Sequence, residues 1–244
     1  MKKAIKISIY VIAGLCAFTF FMSIYEPYAR HRQIYLSGLD YYNNGKYEEA
    51  IGYLDILDKE DYYYKDCLYI KGLCHEKLGD IERALESYSQ LIIEDPEHAT
   101  AYLNRGNLNI KLGYKMKAMS DFNRAIDFNT NNISTWKARA GLKATLSDYR
   151  GSIEDLNKAI ALDSKNSELF FMRAVYRMVV GDYKYALEDF DQGILLEPNK
   201  ASAYMLRGNA KKKLGDQAGA CLDLSKAGEL GDTTAYELIR EHCK

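Results

Sequence analysis

The sequence predicts an all-α chain of six stacked helical hairpins, and three observations carry that prediction. The same pattern returns every 34 residues, in windows that begin at His31, Lys65, Ala99, Ile133, Ser167 and Ala201. Within each window two apolar-periodic runs of helical length flank a break such as Leu112-Gly113-Tyr114. Small residues recur where two helices would have to touch. No insertion interrupts the period from 31 to 234.

Each restricted place has a physical reason. The eighth place reads Gly38, Gly72, Gly106, Ala140, Ala174 and Gly208, and the twentieth reads Ala50, Ala84, Ala118, Ser152, Ala186 and Ala220. A bulkier side chain at either place would force the paired helices apart. The fifteenth place reads Gly45, Gly79, Gly113, Ser147, Gly181 and Gly215. Glycine there can take a positive φ after a helix end, so the chain reverses within a few residues. The fourth place is always large and apolar: Ile34, Leu68, Tyr102, Trp136, Phe170, Tyr204. Two of the three prolines, Pro96 and Pro198, fall on the thirty-second place, where proline ends one unit and can start the next. A single hairpin of this kind cannot bury its apolar face, and stacking buries it.

In its period and in these small, glycine, aromatic and proline places the chain resembles the tetratricopeptide-repeat (TPR) family. The resemblance implies a TPR α-solenoid, a right-handed superhelix of six helical hairpins over 31–234 with a capping helix over 235–244. The first unit departs most, with Tyr62 in place of proline and Leu57 in place of a small residue. In the cap, Tyr236 and Ile239 are expected to face inward.

Ahead of the repeats, residues 7–25 form a 19-residue stretch without a charge, ISIYVIAGLCAFTFFMSIY. As a helix it would span roughly 28 Å, close to the hydrocarbon thickness of a bilayer. Tyr10 and Tyr25 near its ends suit the membrane interface. The reading is a cytoplasmic tip and transmembrane signal-anchor over 1–26, followed by a short linker over 27–30. Lys2, Lys3 and Lys6 keep the N-terminus cytoplasmic, which places the repeats on the extracytoplasmic, periplasmic side. The alternative is a processed, secreted or lipid-anchored protein. It is disfavoured by the lack of a convincing small-x-small cleavage site and by Leu15 ahead of Cys16.

A net charge of −1 argues against nucleic acid as a partner, because phosphate binding needs a clustered positive field. Catalysis, a metal and a cofactor are not expected. His31, His75, His98 and His242 are scattered, and no zinc-ligand spacing, phosphate loop or nucleophile elbow occurs.

A second periodicity concerns charge. The seventh place is Arg105, Arg139, Arg173 and Arg207 in the last four windows, and the twenty-third is Asp121, Asp155, Asp189 and Asp223. The first two windows lack both, with Ser37 and Tyr53, then Lys71 and Ser87. Arginine and aspartate that come and go together are expected to form interhelical ion pairs, within a unit or across neighbours. The competing reading is an exposed arginine ladder for anionic ligands. Of the cysteines, Cys67 and Cys74 lie too far apart on one helix to bridge. Cys221 and Cys243 are placed to staple the cap by a disulfide in an oxidising compartment.

The resemblance further implies that the first helices line a concave groove that receives another protein or a peptide segment. Its lining would include Tyr35, Leu39, Tyr42, Tyr69, Leu73, Leu103, Asn107, Ile110, Lys137, Phe171, Val175, Met178, Val179, Met205, Asn209 and Lys212. Self-association as a structural envelope component is the alternative. Gly141 stands where a chaperone-tail receptor needs asparagine, which argues against that specificity.

Overall fold

The protein is described here by a computed structural model covering residues 28–243, so the apolar segment 7–25 lies outside the described residues. All regular structure among the described residues is helical. Helix α1 covers residues 28–43. It is followed by α2 (Tyr47–Leu54), α3 (Tyr64–Leu78), α4 (Ile81–Glu94), α5 (Ala99–Lys111), α6 (Lys115–Phe128) and α7 (Ile133–Thr145). Next come α8 (Tyr149–Leu162), α9 (Ser167–Val179), α10 (Tyr183–Leu196), α11 (Ala201–Lys213), α12 (Gln217–Glu229) and α13 (Thr233–His242). The chain divides into two compact bodies, one ending at Leu108 and one starting at Asn109.

In the first body α3 packs on both α2 and α4, and in the second each helix from α6 to α13 packs on the next. What holds a hairpin together is a large side chain at the twenty-fourth place: Leu54, Tyr88, Phe122, Leu156, Phe190 and Leu224 are all buried. In the first two repeats this side chain lies on the small eighth place. A Cβ added to Gly72 would stand 2.5 Å from the Tyr88 ring, and one added to Gly38 would stand 2.7 Å from Leu54. The twentieth-place residues Ala50, Ala84, Ala118, Ser152, Ala186 and Ala220 are buried as expected of a close helix contact. The polar one, Ser152, places its hydroxyl 2.8 Å from the Ala140 and Asp148 carbonyls. Its burial therefore leaves no polar atom unsatisfied.

Each reversal between the helices of a hairpin passes through the left-handed region. Gly45, Gly79, Gly113, Gly181 and Gly215 take φ of 75–86°, and Ser147 adopts the same conformation at φ 63°. In the second, fourth and sixth repeats an aspartate follows and caps the second helix. Asp80 accepts from Arg83 N–H, Asp148 from Gly151 N–H and Asp216 from Gly219 N–H, at 2.9–3.1 Å.

Three boundaries differ from expectation. Residues 28–30, assigned to the linker, are helical, because Tyr28 packs on Tyr62 and Tyr63 and its hydroxyl lies 3.1 Å from that of Tyr63. Helix α2 has only 8 residues, and the chain then turns through Asp58, whose N–H donates to Asp61 Oδ2. Leu57, large where the third to sixth repeats are small, is buried in a core shared with Cys67, Ile70 and Cys74 of the second repeat. The cap begins two residues early, where Asp232 accepts from Thr234 N–H. Its inward residue is Ala235, whereas Tyr236 is 52% exposed and lays its ring edge over Gly228. Among the described residues no helix is long and apolar enough to cross a membrane.

Ser147 carries a side chain into a backbone region that favours glycine. Ser147→Gly is expected to stabilise the chain by about 0.5–1 kcal/mol. Urea unfolding of the two proteins side by side checks this, and an unchanged midpoint would refute it.

Candidate functional site

The charged places assemble into a ladder between first and second helices. In the fourth repeat Arg139 donates from Nε and Nη2 to the two oxygens of Asp155, at 2.9 and 2.8 Å. The fifth repeat repeats the fork from Arg173 to Asp189 at 3.0 and 2.6 Å, and the sixth from Arg207 to Asp223 at 2.9 and 2.6 Å. The third guanidinium nitrogen reaches back to the preceding repeat. Arg139 Nη1 meets Asn123, Arg173 Nη1 meets Asn157, and Arg207 Nη1 meets Asp191, all at 2.7–2.8 Å. The pairing is therefore both within a unit and across neighbours. In the third repeat Arg105 donates to Ser89 at 3.2 Å, while Asp121 belongs to the second body.

Two further places complete the ladder: the eleventh, which was not singled out from the sequence, and the fourth, which was read there only as large and apolar. The eleventh place supplies a second donor to each buried carboxylate. Asn109 bonds Asp121, Lys143 bonds Asp155, Arg177 bonds Asp189 and Lys211 bonds Asp223, at 2.8–3.0 Å. The fourth place supplies an aromatic face beneath the arginine. Arg139 lies over Trp136, Arg173 over Phe170 and Arg207 over Tyr204, at 5.0–5.7 Å from the ring centroids. The signal was present in the sequence, since the eleventh place is Asn, Lys or Arg only in the repeats whose twenty-third place is aspartate.

Electrostatically, each aspartate is nearly dry. The side chains of Asp155 and Asp189 are 3% exposed, and their arginines only 15–17%. Two cationic donors and a bidentate geometry offset the desolvation of one carboxylate. The hydrogen bonds from Arg207 to Asp223 and Asp191 hold its guanidinium above its usual range. In these three repeats every arginine fork is occupied by the protein itself, so an exposed ladder for anionic ligands is not what the geometry presents.

The expected groove residues fall into three groups. Asn107, Ile110, Val179, Asn209 and Lys212 are exposed. Tyr35, Leu39, Tyr42, Tyr69, Leu73, Lys137, Val175, Met178 and Met205 are half-buried. Tyr35 stacks on Tyr63 at 4.8 Å, Lys137 bonds Glu168 at 2.8 Å, and Met205 Sδ lies 3.6 Å from the Thr234 hydroxyl. Leu103 and Phe171 are buried, at 7% and 8%, and are corrected from lining to core. For Phe171 the reason is Gly193, whose missing Cβ leaves room for the ring; a Cβ there would stand 2.3 Å from it. The ring is covered further by Lys200 Nζ, 4.9 Å from its centroid.

This architecture can be set beside known proteins. The family profile described as tetratricopeptide repeat matches residues 35–96 and 71–133. The chain carries tetratricopeptide repeats. Among solved structures, MamA is 19% identical over 71% of this chain and 95% of its own, with a TM-score of 0.66. YrrB, described as a TPR protein with an unusual peptide-binding site, is 20% identical over 72% and 91%, also at 0.66. A tetratricopeptide-repeat protein from Parabacteroides merdae is 19% identical over 88% and 99%, at 0.62. At these identities the likeness is one of fold. No curated protein matches the sequence.

TPR proteins act in protein–protein interaction. Burial pushes the Cys67 thiol up to about 12 and the Cys74 thiol up to about 11, which makes both inert. A disulfide joins Cys221 to Cys243 across 22 residues and ties the end of α13 to α12. His31 meets the Asp61 carboxylate, and His98 Nδ1 accepts from Ala101 N–H at 3.1 Å. Among the described residues no group of three His, Cys, Asp or Glu side chains could hold a metal ion.

The TPR ladder and the staple each yield a test. Asp189→Ala strands Arg173 and Arg177 and is expected to cost about 3 kcal/mol. Arg173→Ala is expected to cost less, because Arg177 still holds the carboxylate; equal losses in denaturant unfolding would contradict the shared geometry. Reducing the disulfide is expected to remove up to about 3 kcal/mol. Hydrogen exchange should then accelerate in α13 first, and uniform acceleration across the second body would count against a local staple.

Proposed function

We propose that this TPR chain is a membrane-held scaffold, anchored through residues 7–25, that receives a protein or peptide segment on the face of its first helices. The observation that carries the reading is that each body leaves apolar side chains half-buried or exposed at its groove places. These are Leu39, Tyr42 and Tyr69 in the first body, and Val175, Met178 and Val179 in the second. Apolar side chains left in contact with water at regular spacing suit an extended or helical segment laid across them. The peptide-binding site named for YrrB supports a ligand of that class. The N-terminal lysines favour placement of the repeats outside the cytoplasm, a setting in which the Cys221–Cys243 disulfide persists.

The test is an affinity capture from detergent-solubilised native membranes, with Ile110→Glu/Val179→Glu beside wild type. Both positions are exposed, so the variant is expected to keep its melting temperature. A partner retained by wild type and lost by the variant supports the scaffold. Capture of the chain's own copies alone overturns the groove and leaves self-association in its place.

A further inference from the structure

Two cavities occupy the same places in different repeats. That of the fifth repeat, about 450 Å³, is lined by Phe170, Arg173, Arg177, Glu188, Asp189 and Gln192. That of the second, about 400 Å³, has Leu68, Lys71, His75, Glu86, Ser87 and Gln90 at the corresponding fourth, seventh, eleventh, twenty-second, twenty-third and twenty-sixth places. Glutamate and glutamine are the same in both. The difference lies in the floor, where the fifth repeat has a carboxylate gripped by two arginines and the second has a serine hydroxyl.

The second cavity keeps one buried polar atom without a partner, and its other polar groups turn to neighbours outside the twenty-third place. His75 is 6% exposed, and its Nδ1 is buried without a hydrogen-bond partner, a costly state for a polar atom. Lys71, lacking an aspartate at the twenty-third place, pairs instead with Asp55 at the C-terminal end of α2, a half-exposed carboxylate. Ser87 is 7% exposed and turns its hydroxyl to its own helix, donating to Arg83 O at 2.9 Å.

We propose that this cavity binds a carboxylate at the place where the fifth repeat holds Asp189. A free organic acid and an Asp or Glu side chain of a peptide both carry this group, and the experiment below distinguishes them. Ser87 and His75 donate to it, and Lys71 shares its charge between the ligand and Asp55. The site is separate from the face of the first helices and does not rest on its role.

Charge sets the pH dependence. Asp55 just after α2, Lys71 on α3, Asp80 at the turn, and Arg83 and Glu86 on α4 surround the imidazole, leaving one negative charge in excess while His75 is neutral. Burial lowers the His75 pKa from its ordinary value, with Arg83 and Lys71 acting in the same direction and Asp80 and Asp55 against. A bound carboxylate favours the protonated ring, so binding takes up a proton and tightens as pH falls.

The experiment follows the histidine side chains by NMR in the full chain, with detergent present for the apolar segment. With only 4 histidines, His75 is assigned by loss of its signal in His75→Gln. The probes are succinate and a blocked peptide with one aspartate, against succinamide and the asparagine peptide. Expected is a saturable shift of His75 at millimolar probe and a raised titration midpoint, with neither amide control acting. A response to succinate identifies a free acid as sufficient; a response to the peptide alone identifies a side chain within a chain. Ser87→Asp supplies the carboxylate internally and is expected to abolish the response. Lys71→Gln is expected to weaken it about tenfold, and it tests the site independently should Ser87→Asp fail to fold. A His75 signal unmoved by both probes, or a Ser87→Asp protein that responds like wild type, overturns the proposal.

Discussion

The structure depends on how closely two helices can approach within a hairpin. A large residue at the twenty-fourth place is buried in every repeat, and the eighth place is small in every repeat. In the first two repeats the large side chain lies directly over that small place. Because no hairpin of this size buries enough surface alone, this contact is useful only when a neighbour covers the other side. Turn glycines and aspartate caps are consequences of bringing the second helix back in time to meet the first.

Polar order is laid over that apolar contact, and it differs along the chain. From the fourth repeat to the sixth, a buried aspartate receives two donors from the first helix, and an aromatic ring supports the arginine. The first repeat fills the same eleventh and twenty-third places with Tyr41 and Tyr53, stacked at 5.0 Å. The second repeat has neither solution complete. Aromatic stacking, ionic pairing and a serine turned to its own helix are thus three outcomes at one position of a common scaffold.

Much of this was legible in the sequence, because a period of fixed length compares each position with five copies of itself. The hairpins, the turn places and the Arg–Asp pattern come from that comparison. The eleventh-place donors were equally periodic, but lysine, arginine and asparagine on a helix usually read as a solvated face. Only the dry aspartate beside them reveals their role. Phe171 and Leu103 were misread because exposure was taken from the place number alone. The space for Phe171 is made by Gly193, 22 residues away on the opposite helix, and an average repeat does not contain that information. Tyr236 failed for the opposite reason: an amphipathic pattern on a terminal helix does not say that a small neighbour, Ala235, will take the inner position.

The arginine of each ladder rung stands 16 residues after its acceptor in the preceding repeat and 16 residues before its own aspartate. This symmetry makes the rung indifferent to how many rungs exist. Duplicating or excising one whole period among the fourth to sixth repeats leaves every arginine at the same distance from both partners along the chain, whereas a change of any other length breaks one arm of every rung it crosses. Chain length in this part of the protein is therefore quantised. The ladder can grow or shrink by whole hairpins with its own spacing intact, and intermediate lengths are penalised by stranded buried charge.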